Sequence, residues 1–177
     1  MPKIVAIVGG KHSGKTTVIE HLIPELRRRG YRVGTIKEMV RIPTLDTPAT
    51  ETDRYTKAGA EAVVAVPRQE TVVFIKRRLN LKEILPHLKG LDYVLLEGFE
   101  SEAAVPKIVT AKNVKEAKDY LDASCFALSG LLAESAKEEA SALEPQLPLV
   151  KSISEAGKLA YLVEKKAAEF ARLGRSC

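Results

Sequence analysis

The stretch Gly9-Gly10-Lys11-His12-Ser13-Gly14-Lys15-Thr16-Thr17 follows directly on the apolar run Ile4 to Val8. It fits G-x-x-x-x-G-K-[ST] at every fixed position, with a strand expected before it and a helix after it. The order has a physical reason. Gly9 and Gly14 let the backbone turn so that successive N–H groups face one phosphate group, and the helix starting there adds the positive end of its dipole. Lys15 reaches the outer phosphates as a point charge, while the Thr16 hydroxyl is placed to ligate Mg²⁺. Residues 9–17 are therefore the candidate nucleotide-binding set.

Around this loop the pattern alternates between strands and helices. Lys3–Val8 reads as a strand and Gly14–Arg29 as a helix, with Val18, Ile19, Leu22, Ile23 and Leu26 on one stripe. Pro24 falls inside that helix and should kink it; Gly30 ends it. Tyr31–Lys37 is the second strand and Glu38–Ala49 a long polar loop. Thr50-Glu51-Thr52-Asp53 resembles a capping box that opens a short helix closed by Gly59. Ala62–Val66 and Thr71–Lys76, joined across Pro67-Arg68-Gln69-Glu70, suggest an antiparallel hairpin.

A helix over 81–88 leads into the strand Asp92–Glu97. Strand Lys107–Thr110, helix Val114–Leu121, strand Ser124–Leu128, helix Leu131–Ala140, a short strand Leu147–Val150 and a final helix over 154–173 follow. The expected fold is α/β: a mainly parallel sheet with helices on both faces plus the hairpin, in one nucleotide-binding domain over residues 1–177. In such sheets ligands gather at the carboxyl ends of the strands.

Composition fits this picture. The chain has 177 residues, 45% apolar and 29% charged, which suits one globular core. No apolar run approaches the ~20 residues that cross a bilayer, and no signal-peptide order opens the chain, so a cytoplasmic location without membrane contact is expected. Cys125 and Cys177 make no disulfide framework. The net charge of +5 comes largely from Arg27-Arg28-Arg29 and Lys76-Arg77-Arg78. No aromatic platform accompanies it, so no nucleic-acid partner is expected.

A phosphate-binding loop needs a second acid for its magnesium. In "LDYVLLEGF", Glu97 ends a four-residue apolar strand at the ligand end of the sheet, whereas Asp92 lies at the opposite end. Asp46 lies in the loop that leaves the same end after the second strand. Lys15, Glu97 and Asp46 form the candidate catalytic set, with Thr16, Glu97 and Asp46 the candidate metal ligands. Glu51 and Asp53 read as first-turn acids of a capped helix; His12 and His87 read as solvated residues before any metal role.

At these residues the chain resembles the molybdopterin-guanine dinucleotide biosynthesis protein B (MobB) family. "SGKTTVIEHLIPELRRRGYRVGTIKE" is similar to the family's loop, first helix and second strand. Asp46, Pro48, Arg54 and Ala58-Gly59-Ala60 match its Asp-x-Pro-Gly-Lys-Asp-Ser-x-Arg run and the Ala-Gly-Ala after it, and "LLEGFE" and Pro106-Lys107-Ile108 match its acidic strand end and the next segment. The resemblance implies a GTP-binding accessory protein with Mg²⁺, weak GTP hydrolysis and a homodimeric state. It also implies a molybdopterin guanylyltransferase, which joins GMP to molybdenum-bound pterin, as partner. Ala49, Thr50, Glu51 and Thr52 replace the family's Gly, Lys, Asp and Ser. Its Lys-His pair is here Lys37-Glu38, so no role of that histidine carries over.

The residues alone leave other readings open. The Asn-Lys-x-Asp base-reading motif is absent, and the backbone of Ser129-Gly130 is either a base contact or a plain strand-to-helix turn. A small-molecule kinase would need an acceptor pocket and an arginine-rich lid; no clear lid stands out, although Lys76, Arg77 and Arg78 could form part of one. A metallochaperone-type GTPase would bring a His-rich or Cys-containing motif. A nucleotide-gated binding partner would hydrolyse nothing at a useful rate.

Overall fold

The structure, a computed structural model, describes residues 1–40, 44–135, 143 and 146–169. The chain forms two compact units: Met1–Glu38 together with the chain from Leu85 onward, and Met39–Ile84.

The first unit is built on a sheet whose strands are β1 (Lys3–Val8), β2 (Val33–Lys37), β5 (Tyr93–Glu97), β6 (Lys107–Thr110) and β7 (Cys125–Ser129), in the order β2-β5-β1-β6-β7. All of these pairings are parallel. Its helices are α1 (Lys15–Arg28), α4 (Val114–Lys118), α5 (Leu131–Ser135) and α6 (Ala156–Lys166). Burial explains the apolar strands. Ile4 through Val8 are five consecutive residues at most 1% exposed, which a strand shows only when both faces of its sheet are covered. On one face Val5, Ile7 and Leu95 join Val18, Leu22 and Leu26 of α1 and Leu159, Ala160 and Val163 of α6 in one core. On the other, Ile4, Ala6, Val94 and Leu96 are equally dry. Each buried Val, Leu or Ile among them contributes about 2 kcal/mol.

Helix α1 runs unbroken through Pro24. It ends where Gly30 turns to φ +90°, with the Gly30 N–H donating to Arg27 O at 2.9 Å and the Tyr31 N–H to Leu26 O at 3.2 Å. Cys125 is free, its thiol pushed up to about 11 by burial; Cys177 lies outside the described residues.

Three expectations need correction. The helix expected over 81–88 is α3 (Leu81–Ile84) followed by a 3-10 turn, Leu85–Leu88; Pro86 lacks the N–H that would continue the α-helical ladder. The short strand at 147–150 is a single parallel bridge between Leu128 and Leu149. The final helix stops at Lys166, Ala167 turns extended (ψ 136°), and β8 (Ala168–Glu169) pairs antiparallel with Ile4 and Lys3. Strand β6 reaches β1 only from Ala6 onward, so the backbone of Lys3 and Ile4 has an open edge there, and β8 fills it. Residues 170–173 of that expected helix, and 136–140 of the one before it, lie outside the described residues.

The second unit holds α2 (Glu51–Lys57), β3 (Ala62–Ala65), β4 (Val72–Ile75) and α3. The cap at Thr50 forms, but the reciprocal bond of a capping box falls one residue early, on Ala49. The Asp53 N–H donates to Thr50 Oγ1 at 3.3 Å, and the Asp53 carboxylate accepts the Ala49 N–H at 2.8 Å. Strands β3 and β4 make the expected antiparallel hairpin, with Val64 opposite Val73.

Candidate functional site

The turn between β1 and α1 has to pass very close to its neighbours, which is why its glycines are glycines. A Cβ on Gly9, at φ +141°, would lie 1.9 Å from Thr110 O. Gly14 takes φ +104° as the N-cap of α1, with no side-chain cap and no acid in the first turn. The first N–H groups of this 14-residue helix are thus left to an anion.

Beneath the loop, the buried hydroxyls of Ser13 and Thr110 are 2.7 Å apart, and Thr110 Oγ1 donates to Val8 O at 3.1 Å. The Leu131 N–H donates to Ser13 O at 3.1 Å, and a Cβ on Gly130 would come within 2.3 Å of that same oxygen. Ser129-Gly130 is therefore a strand-to-helix turn braced against the loop. Lys11 and His12 are exposed, His12 at φ +60°, and Thr17 is half-buried.

Lys15 donates from Nζ to Gly9 O at 2.6 Å and Gly10 O at 2.7 Å. Burial lowers its pKa below the ordinary lysine value, and Glu97, Glu100 and Glu116 partly offset the shift. Thr16 Oγ1 donates to Glu97 Oε1 at 3.2 Å. Glu97 reaches this place because β5 lies next to β1 in register, Ile7 against Glu97, and the Gly98 N–H then bonds Ile7 O at 3.1 Å. Glu97, 81 positions along the chain from Thr16, thus converges with Lys15 and Thr16 at the carboxyl end of the sheet.

Asp46 belongs to the second unit. Its nearly buried carboxylate accepts hydrogen bonds from Lys76 Nζ at 2.9 Å and Thr52 Oγ1 at 2.8 Å. Those two bonds, Lys76 first, hold its pKa below the ordinary aspartate value.

Sequence reasoning did not single out Lys37, Glu38, Thr110 or Glu116. Lys37, the last residue of β2, ion-pairs with Glu97 Oε1 at 2.9 Å. Glu38 Oε2 accepts the N–H of Phe99, a non-glycine residue at φ +61°, at 3.1 Å. Glu116 lies so near the loop that a Cβ on Gly10 would meet its Oε1 at 1.9 Å. Lys37 and Glu38 carried a signal, standing at a strand end on the ligand side. Thr110 and Glu116 carried none, since only sheet topology brings them to the loop.

The residues present fit a magnesium nucleotide. A backbone cradle that a Cβ would fill, an uncapped helix start, a lysine, and a hydroxyl paired with a carboxylate are oxygen- and phosphate-directed groups in one place. Among the described residues, no three His, Cys, Asp or Glu side chains are grouped to hold a metal ion by themselves.

A parallel sheet of this order, with its glycine loop leading into α1 and an acid ending the adjacent strand, defines a P-loop NTPase fold. The sequence pattern of MobB, described as Molybdopterin guanine dinucleotide synthesis protein B, matches residues 4–129. The chain belongs to this family. A putative molybdopterin-guanine dinucleotide biosynthesis adapter protein of Methanocaldococcus jannaschii is 33% identical over 125 residues, covering 68% of this chain and 51% of that protein. The adapter protein of Escherichia coli is 30% identical over 119 residues, covering 64% of this chain and 67% of its own. The chain thus spans about half the length of the first of these relatives. The crystal structure of Bacillus subtilis MobB superposes with a TM-score of 0.72 at 23% identity, over 94% of this chain and 98% of that one.

Proposed function

We propose that this chain is a GTP-binding accessory protein of molybdopterin guanine dinucleotide biosynthesis, with Mg²⁺ as its metal and only weak hydrolysis. The observation that carries the nucleotide reading is the convergence of Lys15, Thr16 and Glu97 at the end of the sheet, with the Thr16 hydroxyl 3.2 Å from the Glu97 carboxylate. The biosynthetic assignment rests on family membership and on relatives described as adapter proteins of that synthesis. The guanine preference rests on family resemblance alone.

Each residue has a definite task in this reading. The amides of residues 10–16 and the α1 dipole hold phosphate oxygens. Lys15 gives up its bonds to Gly9 O and Gly10 O and neutralises the outer phosphates. Thr16 and Glu97 supply oxygens to the metal, whose chemistry when bound is to neutralise phosphate charge. Asp46, the further acid the sequence offers, is held within its own unit by Lys76 and Thr52. Slow hydrolysis is expected, because the sequence beside these motifs offers no water-orienting glutamine or arginine finger.

The client is a molybdopterin guanylyltransferase with its molybdenum-bound pterin, and the working unit is a cytoplasmic homodimer. Among the described residues, no helix is long and apolar enough to cross a membrane. Calorimetry with GTP, GDP and ATP, each with and without Mg²⁺, tests the core of this reading. Tight, magnesium-dependent GTP binding is expected, and equal affinity for ATP would favour a generic NTPase or a kinase. Light scattering tests the dimer, and co-purification with the guanylyltransferase tests the client.

A further inference from the structure

One oxygen of Glu97 has two partners. Its Oε1 accepts the Thr16 hydroxyl at 3.2 Å and ion-pairs with Lys37 Nζ at 2.9 Å. The Thr16 bond joins the two oxygens proposed above as metal ligands. Lys37 is thus an ammonium held on a metal ligand. It is not there by the accident of a loose loop: Lys37 and Glu97 are register partners on β2 and β5. Its side chain is about half exposed (52%), so its stem is free to swing, whereas the Glu97 side chain is 14% exposed and held in place. The Lys15 ammonium, the group proposed to meet the outer phosphates, belongs to the residue directly before Thr16.

A divalent cation on Glu97 and Thr16 repels an ammonium on the same carboxylate at short range. Lys37 then needs another negative partner within a lysine's reach, and a phosphate beyond the one cradled by the loop supplies it. We propose that Lys37 is a specificity-determining residue of the nucleotide site: it exchanges Glu97 for the terminal phosphate, and so distinguishes a nucleoside triphosphate from a diphosphate. This rests on the nucleotide reading above and assigns that site a further residue.

The test compares Mg·GTP and Mg·GDP affinities by calorimetry in the wild type, Lys37→Met and Lys37→Arg. Methionine keeps the apolar stem and removes the charge. Loss of one charge-assisted contact should weaken triphosphate binding about tenfold while diphosphate binding stays within about twofold, and arginine should restore most of the preference. Lys37→Gln carries the same comparison should methionine disturb the strand end, with a thermal melt as the check on folding. If Lys37 only offsets the charge of Glu97, its removal weakens both nucleotides equally, and that result overturns the proposal. An unchanged preference in Lys37→Met overturns it too. A wild type that binds neither nucleotide defeats the nucleotide reading itself, which sets that failure apart from failure of the Lys37 role.

Discussion

Ser13 and Thr110 join their hydroxyls at 2.7 Å across 97 positions of sequence, both fully buried beneath the phosphate-binding loop. The Thr110 hydroxyl also bonds Val8 O, so one side chain ties β6 to both ends of the turn. Thr110→Val keeps the shape but takes away the side-chain partner of the buried Ser13 hydroxyl. It should cost about 1–3 kcal/mol of stability and weaken nucleotide binding as well, because the loop loses its floor. Denaturant unfolding and calorimetry on the same variant check both effects.

Lys15→Ala should abolish tight triphosphate binding and leave the fold intact, since its hydrogen bonds are to loop carbonyls outside the core. Undiminished GTP affinity in that variant would remove the assignment of the loop. The same lysine sets a pH dependence. Burial lowers its pKa below 10.5, and an anionic ligand prefers the protonated form. Affinity should therefore fall as pH rises through this lowered value, earlier than an ordinary lysine would lose its proton. Calorimetry between neutral pH and pH 10 reads the midpoint.

Glu97→Gln removes a charge while keeping size. It should weaken magnesium-dependent binding and hydrolysis, yet leave metal-free nucleotide binding unchanged or improved, because a carboxylate repels phosphates unless a cation intervenes. Asp46→Asn should act in the same direction but less, as Asp46 is already engaged by Lys76 and Thr52. A magnesium titration of affinity in all three proteins decides. An untouched magnesium dependence in Glu97→Gln would make that residue a mere strand-end acid.

Lys107 is a buried lysine (2% exposed) ion-paired with Asp122. Burial alone would raise the Asp122 pKa, but hydrogen bonds from Lys107 and Ser124 outweigh it and hold the value at about 2. The stability this contributes is complete above the ordinary value of 3.8 and is lost as pH falls through 2. Lys107→Met should melt within a few degrees of the wild type at pH 7, because methionine fills the same space and the Asp122 side chain left behind is 43% exposed to water, and should lose less stability between pH 4 and pH 2. Thermal melts across that range test it.

The loop, its helix and Glu97 were legible in the sequence because each is encoded locally: glycines for a tight turn, an apolar strand, an acid at its end. Boundaries were harder where tertiary demands overrode local preference. After Lys166 the residues Ala167-Ala168-Glu169 suit a helix as well as the turns before them do, yet the open edge beside Lys3 and Ile4 draws two of them into the sheet. Thr110 and Glu116 escaped for a different reason. Nothing in their own neighbourhoods marks them, and they matter only because β6 carries them to residues 9–14.

Every partner of β1 lies far along the chain. Lys3 pairs with Tyr93 on one side and Glu169 on the other, and Ala6 with Lys107. This buried strand therefore has nothing to pair with until more than half of the polypeptide has been made, while α1 and the β3–β4 hairpin close over short stretches. Refolding should accordingly be slow for a chain of this size, on the order of milliseconds to seconds, with the non-local closure around β1 as its limiting event. Until that closure the run Ile4 to Val8 stays open to other chains, so the segment that positions the phosphate loop in the finished protein is also its main aggregation hazard during synthesis.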